Sequence, residues 1–408
     1  MADDHDDLLW REEAVDRVLD RRLAALEEQS IRAASLDGID QHVLAEDIVA
    51  EQDIPEHDFA TMDGFAFDAS EGYPYSLVPD DEVFPEDASP SIEPGQAVRI
   101  ATGAPLPAGA NAVLKREEST VENGNLHGST IEPGTYVRQR GVSVAEGEVL
   151  FEAGERLSPK DALLLGELGY EEVSVREPFS VGVLATGTEF VEGRATDLDS
   201  PMLIGLLRSW GHEATYEGAV ADEFEHVEAA IERLATDYDV VLTTGGTSVG
   251  HKDYVIRALD SLGTVDFHRV RIRPGKPIAM ADLPDQGSVA FAIPGKPIGA
   301  HTISTFVMRP FFTGETELPT IEAELARTVE TGPDGFEYMV PVTLNEGNRR
   351  EAMPLGHVDS PLSIYEETFD PSVISSHTRS SRADGVFVTQ SGVAAGELVS
   401  VIPYGVLE

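Results

Sequence analysis

The sequence predicts a multidomain α/β plus β protein: a three-layer α/β domain in the second half of the chain, with regions of short strands before and after it. Three observations predict this. Strand-like and helix-like patterns alternate between about residues 179 and 309, which means parallel strands joined by crossover helices. Residues 68–135, and the chain from about 315 onward, instead read as short strands punctuated by Pro, Gly and Asn. Finally, the apolar β-branched run Val240-Val241-Leu242 leads directly into Thr243-Thr244-Gly245-Gly246-Thr247-Ser248-Val249-Gly250. That is how a buried strand ends in a ligand-binding turn.

Taken in order, residues 9–28 have helical periodicity (Leu9, Ala14, Val15, Val18, Leu19, Leu23, Leu26), and 43–50 form a short apolar run. In Phe59-Ala60-Thr61-Met62-Asp63-Gly64-Phe65-Ala66-Phe67, Asp-Gly between alternating apolar residues is a hairpin signal. Asp63 is thus either a turn residue or an exposed functional carboxylate. Strands are expected at 97–101, 111–114 and 136–138, and Thr102-Gly103 offers a hydroxyl beside bare backbone. Ser158-Pro159 reads as N-cap and first residue of a helix that Gly166 and Gly169 close. The α/β region then reads strand 181–185, helix 201–210, strand 214–219, amphipathic helix 223–236, the strand at 240, a helix to 262, a strand at 265–272, a strand at 288–292 and a long apolar helix at 298–309. Strands at 321–329, 337–344, 349–355, 384–390 and 397–403 suggest a small barrel or sandwich at the end.

The 408 residues suffice for two to four domains with real cores. Without cysteine the chain has no disulfide, zinc–thiolate site or cysteine nucleophile. The acidic N-terminus is unlike a signal peptide and no apolar run spans a membrane, so a cytoplasmic, non-membrane protein is expected. The net charge is −45, from 74 acidic and 29 basic residues spread along the chain. It reads either as a halophilic acidic surface whose self-repulsion salt screens or as an acidic surface that docks a basic partner, and it disfavours nucleic acid.

The cations are more informative. The five lysines are Lys115, Lys160, Lys252, Lys276 and Lys296, and three of them fall between 252 and 296. Four of the eight residues 269–276 are basic, against 29 in the whole chain. Arg269, Arg271 and Arg273 alternate with Val270 and Ile272, which on one strand would put three guanidinium groups on one face. This is either a ladder of salt bridges or a site for an anion. The Gly245-Gly246 turn likewise is either an ordinary strand-to-helix turn or an anion cradle. It has neither the dinucleotide-binding nor the P-loop spacing. Pro-Gly-Lys-Pro occurs at both 274–277 and 294–297, with prolines fixing the backbone where Gly permits close approach.

These stretches, in order, resemble the molybdopterin molybdenumtransferase family, MoeA and the E-domain of gephyrin. The matching pieces are Thr61-Met62-Asp63-Gly64-Phe65-Ala66, Ile100 to Pro107, Val137-Arg138-Gln139-Arg140-Gly141, Ala185-Thr186-Gly187-Thr188-Glu189, Thr244 to Gly250, Asp253-Tyr254 and the two Pro-Gly-Lys-Pro segments. The resemblance implies a helix at 1–26 packing with a MogA-like α/β domain at 178–314. It implies a linking domain from 27–50 and 147–177, an inserted elongated β domain at 51–146 and a C-terminal β-barrel-like domain at 315–408. It also implies a homodimer, contacts with other molybdenum-cofactor biosynthesis proteins, and insertion of molybdenum from molybdate into adenylylated molybdopterin with release of AMP, assisted by Mg²⁺.

Carried over position by position, the resemblance makes Asp63, Thr102, Glu189 and Asp253 catalytic. Gly245, Gly246, Thr247, Ser248, Arg273, Lys276, Pro294, Lys296 and Pro297 would bind substrate, and Glu189, Asp222 and Asp253 the metal. The chain departs from the family pattern at Val142, Ser143, Thr188, Pro201, Lys296, Gly299 and Ser375-Ser376-His377. These exchange carboxylates and amides for neutral or positive groups. The alternatives are therefore an altered paralogue that binds a molybdopterin- or nucleotide-like anion, or a dimeric scaffold.

Overall fold

The computed structural model describes residues 8–88, 91–247, 253–347 and 350–408. The chain forms two compact units: Met1–Ala45 with Gly154–Ala162 and Glu172–Glu408, and Glu46–Ala153 with Leu163–Glu171. The segments expected to form a linking domain divide between them. Ile31–Ser35, Glu172–Arg176 and Val43–Leu44 make a three-stranded sheet in the first unit, while Ile48–Val49 pairs with Val149–Phe151 in the second.

The first unit is built on a six-stranded sheet. Its strands are β1 (Ser180–Thr186), β2 (Glu213–Val220), β3 (Val240–Thr244), β4 (Thr264–His268), β5 (Ala279–Leu283) and β6 (Ser288–Ile293), in the order β2-β1-β3-β6-β5-β4. The four strands β2, β1, β3 and β6 are parallel. The all-parallel sheet expected from the sequence is corrected at the other edge, where β5 and β4 run antiparallel. Only Pro284–Gly287 separates β5 from β6, and so short a connection cannot make a parallel crossover.

Alternation along β3 sends Val240 and Leu242 to one face and Val241 to the other. On the first face they meet Ala14 and Val18 of the N-terminal helix α1 (Arg11–Glu28), Leu203 and Leu207 of α2 (Asp199–Ser209), and Phe306, Phe311 and Phe312. On the second, Val241 and Ala290 meet Val227, Ile231 and Leu234 of α3 (Phe224–Asp237) and Val255, Ala258 and Leu259 of α4 (Tyr254–Leu262). These are the three expected layers. The long apolar helix is α5 (Pro297–Ile303) followed by a π-helical turn, Ser304–Met308, and a last helix, Arg309–Thr313. Pro310 has no N–H for the carbonyl four residues back, and the turn loosens just before it.

The arginine strand is not one strand. β4 stops at His268, and Arg269 takes φ +78°, outside the extended range. Val270 then bridges to Leu9, and Ile272–Arg273 joins a different sheet beside Glu337–Tyr338. Arg271 donates to the Leu8 carbonyl and covers the Trp10 ring, so the three guanidinium groups do not share a face. From 321 onward Glu337–Glu346, Arg350–Pro354, Ile321–Leu325, Leu398–Pro403 and Gly385–Thr389 pair in turn. The last returns to Glu337–Glu346 and closes a five-stranded barrel.

The second unit carries a six-stranded sheet in which Gly64–Phe67 lies between Ala112–Lys115 and Gln96–Ile100. Asp63-Gly64 is not a hairpin turn, because Phe59–Ala60 pairs with Val137–Arg138 instead. Gly64 is needed for closeness: a Cβ there would lie 2.0 Å from the Leu114 carbonyl oxygen. The helix expected from Ser158 begins at Asp161, whose carboxylate accepts the Ser158 N–H (2.7 Å) and hydroxyl (2.6 Å). Among the described residues no helix is long and apolar enough to cross a membrane.

Candidate functional site

The parallel strands β1, β3 and β6 are neighbours, and all three end at one edge of the sheet. Their carboxyl ends open into a cleft of ≈ 660 Å³. Open parallel sheets leave such a crevice where the connections diverge, and backbone N–H groups are unspent there. β1 supplies Thr186 and, just beyond it, Glu189. β3 supplies Thr244, Gly245, Gly246 and Thr247, and β6 supplies Pro294, Gly295 and Lys296. The walls are completed by Asp199 at the start of α2, Asp222, Arg269, the segment 272–277, and Ser372 and Ser375.

The Gly-Gly turn is a steric necessity. Gly245 and Gly246 have φ of +89° and +66°, and their Cβ atoms would fall 2.6 Å from the Thr186 carbonyl oxygen and 2.7 Å from Val255. β3 therefore passes β1 closely enough for the Thr186 hydroxyl to donate to the Thr244 carbonyl at 3.2 Å. Gly295 approaches the same turn from the third strand: a Cβ on it would stand 3.0 Å from the Gly245 Cα.

The cations reach the cleft from two sides. Arg273 lies over the buried Phe336 ring at 4.0 Å, and the Lys276 ammonium is 5.8 Å from the same ring centroid. This aromatic shelf orients both without neutralising them. Lys296 is exposed and donates to the Ser372 carbonyl at 3.2 Å. The Arg269 backbone turn that breaks β4 is what delivers its side chain to the cleft.

Three carboxylates face this charge. Asp199 is 6% exposed, and one oxygen accepts the Thr244 hydroxyl at 3.1 Å while the other has no partner among the described residues. Burial pushes its carboxyl up to about 6; the Thr244 hydroxyl opposes the shift and Asp197 adds to it. Asp222 and Thr188 hold one another, Thr188 N–H to carboxylate at 3.4 Å and Asp222 N–H to hydroxyl at 3.1 Å. Glu189 is half-buried at the entrance of the short helix Thr188–Val191.

Of the residues expected to bind or react, Glu189, Asp222, Gly245, Gly246, Thr247, Arg273, Lys276, Pro294 and Lys296 line this cleft. Pro297 does not; it is the first residue of α5. Asp253 does not line it either and sits just ahead of α4. Burial pushes the Asp253 carboxyl up to about 6, against the Ile256 N–H and the charge of Arg269. Ser248 lies outside the described residues. Asp63 and Thr102 belong to the second unit, where the Asp63 carboxylate accepts the Thr102 N–H at 2.7 Å and its hydroxyl at 2.8 Å. Those two bonds, backbone first, hold the Asp63 carboxyl below the usual range. Asp199 and Thr186 are site residues to which the sequence assigned no role, while Arg269 reaches the cleft as one of the candidate anion-binding arginines. Asp199 opens a helix after a polar stretch, which is a signal of sorts, but its burial is visible only in the fold.

Among the described residues no three acidic or histidine side chains converge as a metal cage. Mg²⁺ does not need one, since it keeps waters and takes phosphate oxygens with one or two carboxylates. The unpartnered Asp199 oxygen, with Glu189 and Asp222 on the same walls, fits such a cation.

Residues 10–169 match the family model described as the MoeA N-terminal region (domain I and II), and residues 182–314 match one described as a probable molybdopterin binding domain. The molybdopterin molybdenumtransferase of Synechococcus elongatus is 32% identical over 66% of this chain and 71% of its own length. That of Haemophilus influenzae is 32% identical over 63% of this chain and 66% of its own. A putative molybdopterin biosynthesis protein of Methanocaldococcus jannaschii is 31% identical over 66% of this chain and 71% of its own. Among solved structures, two of the molybdopterin biosynthesis MoeA protein of Pyrococcus horikoshii align over 97% of this chain. One has a TM-score of 0.70 at 26% identity and covers 99% of that protein; the other has 0.75 at 23% and covers all of it.

Proposed function

Since the chain belongs to the molybdopterin molybdenumtransferase (MoeA) family and is an enzyme of molybdenum cofactor biosynthesis, we propose that its cleft binds adenylylated molybdopterin and molybdate, places molybdenum on the dithiolene and releases AMP. One observation carries this reading: Arg269, Arg273, Lys276 and Lys296 face the same cleft as the Gly245-Gly246 turn and three carboxylates. A ligand with several phosphates needs both halves of that arrangement.

In this reading the Gly245-Gly246-Thr247 backbone cradles a phosphate. Arg273 and Lys276 hold the charge in place from the Phe336 shelf, and Lys296 closes the rim. Pro294 and Pro297 fix the loop that carries Lys296. One or two of Glu189, Asp222 and the second oxygen of Asp199, completed by waters and phosphate oxygens, would hold Mg²⁺. When bound, that cation offsets the charge that develops on phosphoryl oxygens as AMP leaves. Asp253 acts on Arg269 rather than on the metal. Asp63 and Thr102 act as a pair, with the threonine aiming the carboxylate. The chain is a homodimer with other molybdenum-cofactor biosynthesis proteins as partners, works in the cytoplasm, and its acidic surface suits high salt. Light scattering should return twice the 44.0 kDa chain mass.

The decisive assay is AMP release from adenylylated molybdopterin with molybdate and Mg²⁺, run across a range of salt. Turnover supports the reading, and its absence at every salt concentration rejects it. The second reading, an altered paralogue, is favoured by Lys296, an amine on the rim where the family pattern has an amide. It predicts saturable AMP binding without release from the adenylylated substrate.

A further inference from the structure

Away from this cleft, we propose that Arg22, Arg156 and Arg309 form a second anion site, which takes a compact tetrahedral dianion such as sulfate or phosphate. The three arginines come from α1, from the segment 154–156 and from the last helix of the α/β region. Arg22 and Arg309 are 4% and 3% exposed. Arg156 and Arg309 donate to opposite oxygens of one carboxylate, Glu315, at 2.9 Å each. Arg156 also reaches the Trp210 carbonyl at 3.2 Å, and Arg309 the Glu315 carbonyl at 3.4 Å. Those bonds leave donors over. Nε and Nη2 of Arg22, Nε of Arg156 and Nε of Arg309 are buried with no acceptor among the described residues.

Buried guanidinium donors are almost always satisfied, because water was given up to bury them. The positive charges also press on one another: burial first, and Arg156 second, pull Arg22 down to about 10. A cavity of ≈ 460 Å³ lies beside two of these arginines, lined by Arg22, Arg156, Glu155 and Glu315. A second cavity, of ≈ 420 Å³, shares Leu19 and Glu315 with it and reaches Arg309.

The backbone is shaped to the cluster. Gly314 has φ +73°, and a Cβ on it would stand 3.1 Å from Arg22 Cζ, so the guanidinium lies against bare backbone. Two of the three guanidinium groups bond the Glu315 carboxylate, and three positive charges stand against Glu315 and Glu155 on the cavity wall, one charge in excess. A tetrahedral oxyanion offers enough oxygens for the idle forks, whereas chloride offers a single point of contact. Bound there, it would join three segments that are far apart in sequence.

The test uses the full-length Lys276→Gln/Lys296→Gln chain, which weakens anion binding in the cleft already described. Sodium sulfate or sodium phosphate replaces sodium chloride at constant ionic strength, and thermal unfolding is followed together with a binding isotherm. The expected result is a saturable rise in Tm, one equivalent bound per chain, no such rise with chloride, and loss of both on Arg22→Met. A rise that never saturates, that chloride reproduces, or that survives Arg22→Met overturns the proposal. Glu315→Gln provides a variant that keeps all three arginines and alters a half-exposed residue. It should bind sulfate roughly five- to tenfold tighter, because the competing carboxylate charge is gone. Unchanged or weaker binding in that variant also overturns it.

Discussion

The Thr244 hydroxyl donates to the Asp199 carboxylate across 3.1 Å inside the wall of the cleft, and it is the one hydrogen bond that the buried carboxylate accepts among the described residues. A charge held this way is a cost to the fold and an asset to the site. Asp199→Asn keeps the shape and removes the buried charge. It should leave Tm unchanged or raise it by a few degrees, and should lower AMP release by on the order of 10²-fold or more. A variant that melts earlier yet turns over normally would show Asp199 to be structural.

Gly245 tests whether the turn is as tight as its geometry states. Gly245→Ala forces a Cβ to within 2.6 Å of backbone at φ +89°. Backbone cannot yield as a flexible side chain can, so the cost should exceed the roughly 1–3 kcal/mol of a left-handed non-glycine residue alone. Gly193 is the matched control: its φ is +69° and a Cβ there meets nothing within 4 Å. Gly193→Ala should cost about 1 kcal/mol and leave AMP binding intact. Chemical denaturation of the two variants side by side gives the comparison, and equal losses would contradict the close approach.

Lys276→Gln should weaken AMP binding by roughly 10- to 100-fold, the worth of a hydrogen bond to a charged group at about 1.5–3 kcal/mol. Calorimetry in 50 mM and in high salt would separate contact from field. The loss should persist at high salt if the ammonium touches the ligand, and shrink if it acts at a distance.

What could be read from the residues alone follows a physical line. Turns with local causes were legible: Gly245-Gly246 and the two Pro-Gly-Lys-Pro segments announce themselves by residue type, and the structure brings them to one cleft. The helices and most strands were legible from periodicity, the closing barrel included. The antiparallel edge was not, because Ala279-Met280-Ala281-Asp282-Leu283 has no β-branched or aromatic residue to mark it as a strand. The alternating arginines misled for a related reason. Period two is the pattern of a strand, but Leu9 pairs with Val270 and draws that stretch off the sheet, so Arg269 and Arg273 reach the cleft while Arg271 stays with Trp10. Asp63-Gly64 had the look of a hairpin, yet its glycine serves packing against Leu114. Asp199 was hidden because burial is a property of the assembled layers and not of Asp-Ser-Pro.

The surface charge makes a prediction of its own. At −45 the folded chain repels itself, and salt shortens the reach of that repulsion from about 30 Å at 0.01 M to about 3 Å at 1 M. Tm should therefore rise steeply with sodium chloride over that range. A flat dependence would mean that the carboxylates are neutralised by internal partners.

His212 should give the clearest pH signature. Its ring accepts the Phe179 N–H at 3.0 Å through Nδ1 and meets the Phe312 carbonyl at 3.0 Å through Nε2, which makes it the neutral tautomer with Nε2 as donor. It packs against the Phe179 and Phe312 rings. Burial is the main reason its pKa is lowered to about 4; the Phe312 carbonyl opposes this, and Arg156 and Arg22 reinforce it. The native pKa is thus below that of the unfolded chain, about 6.5. Between those values the unfolded state binds a proton that the native state refuses, so stability falls as pH falls through that window. The contribution is complete above pH 6.5, and about 3 kcal/mol of it is gone by pH 4. Other carboxylates titrate in the same range, so the quantity to measure is the difference between the wild type and His212→Gln in urea unfolding. Glutamine keeps an acceptor for Phe179 but cannot be protonated. The variant should be less stable at pH 7.5, and its deficit should shrink or reverse as pH approaches 4.5. A deficit that stays constant with pH would mean that the imidazole is protonated as readily inside the fold as outside it.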